Sequence, residues 1–389
     1  MRLLATKLFD NAKKQKADEF YTQLSDIEIE LNNYRDYFKN KTVFCNCDDP
    51  FESNFFKYFA INFQFLGLKK LIATSYDGSP MSHNQLNLFD VENIDQKPKN
   101  DRKPYKIVIT DTKNLRELDV YDLSVVEQLI KNNNNILTLL EGNGDFRSQE
   151  SLDLLKESDV VVTNPPFSLF REYVSVLEDY EKDFLIIGNT NALTYKEIFK
   201  MFQTNRIRTG YTNFNRGMFF IVPKDTEKYH KIDDEGNKLV RVSTSCWFTN
   251  LDVKKHKQFI TLYKKYTKEE YPKYENFDAI DVSKYHEIPY DYDDNIGVPI
   301  TFLDKHNPDQ FDIIALGIVG SIEFKNNRKM EILNKHGEPT GKYTNNAKGT
   351  LYKKYNPEKD KKSPAFKDVI TGELYSSIYA RVIIKRKKQ

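Results

Sequence analysis

Long apolar runs are missing from this sequence. No stretch approaches the roughly 18 to 20 consecutive apolar residues that a membrane span needs. Met1 to Asp10 has neither the apolar centre nor the small-residue cleavage site of a signal peptide, so the protein is expected to work in the cytoplasm, away from any membrane. Cysteine is scarce: Cys45, Cys47 and Cys246 cannot build a disulfide framework, and an odd count fits a reducing compartment. Cys45-x-Cys47 has no second Cys or His pair at metal-binding spacing, so no metal is expected. The histidines (His83, His230, His256, His286, His306, His336) are scattered and suggest no catalytic triad. A Gly-x-x-x-x-Gly-Lys phosphate loop is also lacking, which argues against a helicase or translocase motor.

What is present is enough chain for a large α/β core and a smaller second domain: 389 residues, 39% of them hydrophobic. The formal charge of +2 hides an uneven distribution. From Ser321 to Gln389 there are 17 Lys and Arg against 7 Asp and Glu, while the preceding 320 residues carry 42 against 50. A basic segment interleaved with Tyr343, Tyr352, Tyr355 and Tyr375 suits a polyanion, because Lys and Arg release counterions from phosphates while aromatic residues contact sugars and bases. The alternative is a solvated, partly flexible tail.

Along the chain, Leu24, Ile27, Leu31, Tyr34 and Phe38 are spaced to line one helical face. Thr42 to Cys47 reads as a strand. Ser53 then caps a helix with an aromatic face (Phe55, Phe56, Phe59, Phe63, Leu66) closed by Gly67, and Lys70 to Tyr76 is the next strand. This β-α-β unit predicts two parallel strands with a right-handed crossover. Residues 78 to 104 are polar and proline-punctuated, as in an insertion or mobile loop. Further strands are predicted at Ile107 to Thr110, Ile136 to Leu140, Asp159 to Thr163, 184 to 187, Met218 to Val222 and Ser245 to Thr249. Helices are predicted at Leu123 to Ile130, Ser151 to Lys156 and Leu169 to Leu177. After about Leu251 the rhythm changes to Tyr- and Lys-rich segments with Pro272, Pro289, Pro299 and Pro308, which places a domain boundary there.

The string that carries chemistry is Asn164-Pro165-Pro166-Phe167, directly after the strand ending at Thr163. In open α/β sheets ligands bind outside the carboxyl ends of the strands. Two prolines fix the backbone and offer no N–H donors, so the Asn164 amide oxygen and the Pro165 carbonyl can be held as a rigid pair of acceptors. Such a pair matches the two N–H donors of an adenine amine: accepting both returns nucleophilicity to the nitrogen, and Phe167 can stack on the base. The alternative is a polyproline turn at a strand end.

These residues resemble the adenine-specific DNA methyltransferases, and among them the EcoRI-type family. The resemblance runs through Asp18-Glu-Phe-Tyr-Thr22, Val43-Phe-Cys-Asn-Cys-Asp-Asp-Pro50, Gly142-Asn-Gly-Asp-Phe-Arg-Ser148, Asn164-Pro-Pro-Phe-Ser-Leu-Phe-Arg-Glu-Tyr173, Leu185-Ile-Ile-Gly-Asn189, Trp247-Phe-Thr-Asn250 and Gly297-Val-Pro-Ile-Thr-Phe-Leu-Asp304. It implies a Rossmann-like S-adenosylmethionine-dependent methyltransferase fold, with a mostly parallel, doubly wound sheet, over residues 1–251 and a target-recognition domain over 252–389. S-adenosylmethionine is the implied cofactor and S-adenosylhomocysteine its product. Phe20, Tyr21 and Thr22 resemble the segment that lies over the cofactor's methionine. Asp48 and Asp49 stand after the first strand, where Cys-Asn-Cys-Asp-Asp-Pro replaces the usual Gly-x-Gly. Asp77 resembles the acid that takes the ribose hydroxyls, and Asp145-Phe146 the pair that accepts from and covers the cofactor adenine. Trp247 or Phe248 is the implied second aromatic face on a flipped base, opposite Phe167, and Lys385, Arg386, Lys387 and Lys388 are expected on DNA.

By the same resemblance the implied partner is double-stranded DNA, met as a monomer, with a cognate restriction endonuclease acting independently and a GAATTC-like target. The same cleft also suits RNA adenine or a protein glutamine, and a non-catalytic DNA-binding module is the alternative of a different class.

Overall fold

Short Val-, Ile- and Phe-rich runs separated by helical segments become strands of a layered α/β unit. The computed structural model describes residues 21–47, 49–50, 53–76, 104–112, 135–222, 226–325 and 328–388. The insertion expected from 78 to 104 lies outside them apart from Pro104, as does the helix expected over Leu123 to Ile130. The chain divides into two units: Met1–Ala192 with Thr209–Asp252, and Leu193–Arg208 with Val253–Gln389.

The strands of the first unit are β1 (Tyr21–Thr22), β2 (Thr42–Cys45), β3 (Lys70–Thr74), β4 (Tyr105–Ile109), β5 (Ile136–Leu139), β6 (Val160–Thr163), β7 (Asp183–Asn189), β8 (Arg208–Thr209, where the chain passes between units), β9 (Met218–Val222), β10 (Lys231–Ile232), β11 (Lys238–Val242) and β12 (Ser245–Thr249). Its helices are α1 (Leu24–Leu31), α2 (Asn54–Ile61), α3 (Phe63–Leu66), α4 (Gln149–Glu157) and α5 (Phe170–Asp179). Local chemistry sets their ends. Ser53 Oγ accepts the Phe56 N–H at 3.3 Å and Ser148 Oγ accepts the Ser151 N–H at 3.3 Å, each capping a helix start. Gly67, at φ 63°, closes α3 in the left-handed conformation.

Eight strands form one sheet in the order β5-β4-β3-β2-β6-β7-β12-β8. The four central strands β3, β2, β6 and β7 are parallel. Helices α2 and α3 bridge β2 to β3, and α5 bridges β6 to β7, as parallel neighbours require. These strands are buried on both faces, which explains their unbroken apolar runs, Val160-Val161-Val162 and Leu185-Ile186-Ile187 among them. The expectation of a mostly parallel sheet needs correction. β4 runs antiparallel to β3, β5 to β4 and β12 to β7, so the sheet is mixed. An apolar strand carries no mark of its direction, and antiparallel neighbours need no crossover helix. A second, antiparallel sheet runs β1-β9-β11-β10. Because the central strands share one direction, their carboxyl ends and the loops after them line a single rim.

The second unit holds α6 (Lys196–Gln203) and strands β13 (Ile280–Asp281), β14 (Ile296–Pro299), β15 (Phe311–Leu316), β16 (Met330–Leu333), β17 (Pro339–Thr344), β18 (Leu351–Lys354), β19 (Phe366–Asp368), β20 (Leu374–Ile378) and β21 (Arg381–Arg386). They pair as β13-β14-β21-β15 and β17-β16-β19-β20-β18. Met330, Ala347, Tyr352, Phe366 and Tyr375 form one core cluster. Tyr274, Ala279, Ala315, Leu351 and Ile383 form another. The basic end of the chain is not a flexible tail: β21 pairs on both sides and buries Val382, Ile383 and Ile384. Asp281, 3% exposed, accepts from Lys353 Nζ at 2.9 Å, Arg381 Nε at 2.9 Å and Tyr274 Oη at 2.8 Å, cross-linking strands of both sheets. Among the described residues no helix is long and apolar enough to cross a membrane.

Candidate active site

The rim of the first unit gathers the loops after four strands. After β6, Asn164 is buried (6% exposed), Pro165 is buried, and Pro166 and Phe167 are half-buried. Leu169 N–H donates to the Pro166 carbonyl at 3.0 Å, so the segment turns at once into α5 and Phe167 is held at the rim. The Phe167 ring meets the buried Phe220 edge-on, 6.5 Å between centroids. Phe220 on β9 is the register partner of Thr22 on β1. Asn54 at the start of α2 donates its Nδ2 to the Thr22 carbonyl at 2.7 Å, which ties Tyr21 and Thr22 to the loop after β2.

In that loop Asp49 is buried and accepts the Tyr105 hydroxyl at 2.5 Å. Tyr105 opens β4 and pairs its backbone with Ser75, just past β3: Ser75 N–H reaches the Tyr105 carbonyl at 2.9 Å and Tyr105 N–H reaches Ser75 Oγ at 2.9 Å. Buried Asn46 accepts a short hydrogen bond from the Tyr173 hydroxyl of α5. Burial, together with Cys47 alongside, pushes that hydroxyl well above its ordinary pKa, so it stays a proton donor.

The loop after β5 approaches from the other side. Gly144 lies at φ 76°, and a Cβ there would stand 2.1 Å from the Ser75 carbonyl oxygen, so only glycine lets this loop lie against the end of β3. It presents Asp145 and Phe146. The Phe146 ring packs edge-on against Tyr173 at 5.0 Å, and the Arg147 guanidinium lies 5.1 Å from the Phe146 centroid. Arg147 also holds Asp145: its N–H and Nε reach Oδ1 at 2.8 and 2.9 Å, and its Nη2 reaches Oδ2 at 2.7 Å. Those bonds hold the Asp145 carboxyl below the usual carboxylate range. Glu172 of α5 steadies the same arginine, accepting from its Nη1 at 2.8 Å.

Tyr21, Thr22, Asp49, Asp145, Phe146 and Asn164 to Phe167 thus share one rim with the ends of β2, β3, β5 and β6. Phe20, Asp48 and Asp77 lie outside the described residues. Trp247 and Phe248 are enclosed, at 1% and 0% exposure. Phe55 covers Trp247 edge-on at 5.9 Å and Phe170 covers Phe248 at 5.0 Å, so neither has an open face for a base. Of the basic C-terminal residues, Lys385, Lys387 and Lys388 are exposed, Lys387 with Asp312 at 3.2 Å, whereas Arg386 is half-buried and pairs with Asp293 at 2.8 Å.

The model of the family described as adenine-specific methyltransferase EcoRI matches residues 8–387. The chain belongs to this family. It is 47% identical over 323 residues to the Type II methyltransferase M.EcoRI of Escherichia coli, a match that spans 80% of this chain and 90% of the relative. It is 37% identical over 313 residues to the Type II methyltransferase M.MpnI of Mycoplasma pneumoniae, spanning 79% of this chain and 84% of the relative. It is 36% identical over 313 residues to the Type II methyltransferase M.MgeORF184P of Mycoplasma genitalium, spanning 79% and 85%. No solved structure matches.

As a member of the EcoRI family the chain is an adenine-specific methyltransferase, and its rim contains supporting residues that motif reading passed over. Tyr173, Arg147 and Asn46 stand inside quoted motifs without an assigned part, and Tyr105 lies outside them. For Tyr173, Asn46 and Tyr105 spacing gives no signal, because each acts through a partner distant in sequence, as Tyr173 does on Asn46 and Tyr105 on Asp49.

Proposed function

We propose that this methyltransferase moves a methyl group from S-adenosylmethionine to the exocyclic nitrogen of an adenine turned out of duplex DNA at a specific site. The observation that carries the reading is the placement of Asn164 to Phe167 at the carboxyl end of β6, on the rim shared with Tyr21, Thr22, Asp49, Asp145 and Phe146. We read the first unit as a Rossmann-like catalytic domain and the second, with its basic segment, as the target-recognition domain.

The residues present fit the cofactor. The hydroxyls of Thr22, Thr74, Thr163 and Ser245 are buried without a hydrogen-bond partner among the described residues, and three of them stand at the rim end of their strands. A buried polar group of this kind is costly unless something meets it. The set is also acceptor-rich and acidic, matched to the hydroxyls, amine and positive charge of S-adenosylmethionine. Tyr21 and Thr22 would hold its amino-acid end, Asp145 and Phe146 its purine, and Asp49 the region between.

S-adenosylmethionine, when bound, supplies the methyl group on a sulfonium already activated for departure. What the protein adds is alignment and electrostatics. Rotating the adenine out of the stack costs a few kcal/mol, offset by phosphate contacts and stacking in the pocket. Asn164 and the Pro165 carbonyl accept the two amino hydrogens, drawing the nitrogen toward a tetrahedral, nucleophilic form. Phe167 packs on the base, held from behind by Phe220.

We further propose that the protein acts in the cytoplasm as the modification half of a restriction-modification pair. The test is expression in a bacterial host free of DNA methylation, with modified adenines mapped across its genome by single-molecule sequencing. A single recurrent motif methylated at adenine N6 is expected, and its loss in Asn164→Ala. A folded, cofactor-binding protein that leaves every adenine unmodified overturns the reading.

A further inference from the structure

Resting on the reading of the second unit as a DNA-recognition domain, we propose that Ile370 is an apolar wedge that enters the base stack of the bound duplex. Ile370 sits in the turn joining β19 to β20 and is 92% exposed, with Val369 beside it 50% exposed. One exposed apolar side chain is ordinary on a protein surface. This one differs in being presented on a rigid tip and in what surrounds it.

The turn is fixed by its own hydrogen bonds. Asp368 Oδ1 accepts the N–H groups of Ile370 and Thr371 at 2.8 and 2.9 Å, and Gly372 N–H returns to the Asp368 carbonyl at 3.0 Å. Gly372 takes the left-handed conformation, φ 71°, that closes such a turn. Val369 N–H is tied to the Lys329 carbonyl at 3.2 Å, which docks the tip against the neighbouring strand segment. The tip needs no apolar residue for these bonds, and a β-branched side chain packs nothing there. Entropy that a wedge would otherwise lose on insertion is already lost in the free protein.

The surroundings are those of a polyanion site. Lys329 lies 5.0 Å over the half-exposed Tyr343 ring, and Lys367 extends alongside Gly372. Tyr343, Glu331 and Lys367 are register partners across β17, β16 and β19 and so share one sheet face. Of the nearby acids, Glu373 pairs with Lys354 at 2.8 Å, Asp368 is bound within its turn, and Glu331 accepts the Gly341 N–H at 3.2 Å. Cations flanking an exposed Ile reproduce the arrangement by which proteins insert an apolar side chain between base pairs, unstack one step and kink the duplex. A protein partner would more readily accept a broad apolar surface than a single tip with Lys329 and Lys367 near its turn. The kink lowers the cost of turning the target adenine out.

The test uses the full-length enzyme and a short duplex carrying the mapped site, intact or with the target adenine opposite an abasic position, where the base has no pairing partner and turns out at lower cost. Single-turnover methyl transfer and end-to-end duplex bending by fluorescence transfer are measured for wild type, Ile370→Ala and Ile370→Leu. Ile370→Ala is expected to transfer about tenfold more slowly on the intact duplex and bend it less, to recover on the abasic duplex, and to be rescued by Ile370→Leu. Equal loss on both duplexes, or no loss on either, overturns the wedge. Lost self-association with unchanged methylation assigns the tip to a protein contact and also overturns it. A wild-type protein that methylates neither duplex overturns the functional reading itself.

Discussion

Arg147 gives the sharpest handle on the purine site proposed at Asp145 and Phe146. A carboxylate offers about four acceptor positions, and Arg147 fills three on Asp145 with its N–H, Nε and Nη2. One position on Oδ2 is left for an incoming amine. Removing the arginine frees the Asp145 rotamer, which costs about 0.5 to 1.5 kcal/mol to order again on binding. It also uncovers Phe146, worth about 0.5 to 1 kcal/mol at an exposed site. Arg147 is 48% exposed on its side chain, so its ion pairs contribute little to folding once solvent screening is counted. Arg147→Ala should therefore weaken S-adenosylmethionine binding about fivefold to seventyfold while the melting temperature hardly moves. Asp145→Ala deletes the charge-assisted bond itself, and a loss of about 1.5 to 3 kcal/mol is expected. Calorimetry with S-adenosylhomocysteine and with an analogue carrying hydrogen in place of the purine amine isolates that bond, as a mutant cycle does. Asp145→Ala should reduce affinity for the first and leave the second almost unchanged. An equal reduction for both would refute the assignment. The sign with pH follows from the depressed Asp145 pKa. The contribution is complete above the ordinary carboxylate value and is lost as pH falls through the lower folded value, so the binding limb should shift to higher pH in Arg147→Ala.

Three further outcomes test the rest. Asn164→Ala should lower turnover about a hundredfold to a thousandfold with cofactor affinity unchanged, because its hydrogen bond strengthens in the transition state; a parallel loss of cofactor binding in calorimetry would place Asn164 in the scaffold instead. Asp281→Asn should destabilise the second unit by about 3 to 5 kcal/mol, since it leaves Lys353 and Arg381 facing a neutral group. Burial raises the Asp281 pKa, but Arg381 and Lys353 outweigh it and hold the carboxyl below its ordinary value. Wild-type stability from this cluster is thus present above about pH 4 and lost as pH falls through the folded value, a step that urea titrations should find missing in the variant. Gly144→Ala, with its Cβ 2.1 Å from the Ser75 carbonyl, should impair cofactor binding far more than Gly142→Ala, whose nearest neighbour is the Glu150 carboxylate at 3.6 Å; equal effects in a binding titration would remove the close approach from the argument.

The position of the proposed catalytic string could be read because its information is local. Asn, two prolines and an aromatic residue directly after an apolar strand fix where the string stands, and Ser53 and Gly67 mark helix ends by bonds to near neighbours. Strand direction was not local, which is why β4 and β12, running against the central strands, turned a mostly parallel expectation into a mixed sheet. Trp247 and Phe248 show the same limit from the side-chain end. Alternation assigns them to opposite faces of β12, yet every residue of that strand is buried, so period alone cannot separate a base-stacking ring from a core ring. The lysines and arginines at the chain end illustrate it for charge: equally basic in sequence, Lys385 and Lys388 face solvent, Lys387 does so beside Asp312, and Arg386 is half-buried against Asp293, far upstream. Neutralising Lys385 and Lys388 should therefore account for most of the salt dependence this segment gives to DNA binding. Neutralising Arg386 instead should loosen β21 and lower the stability of its unit, because the side chain's partner is protein and not phosphate.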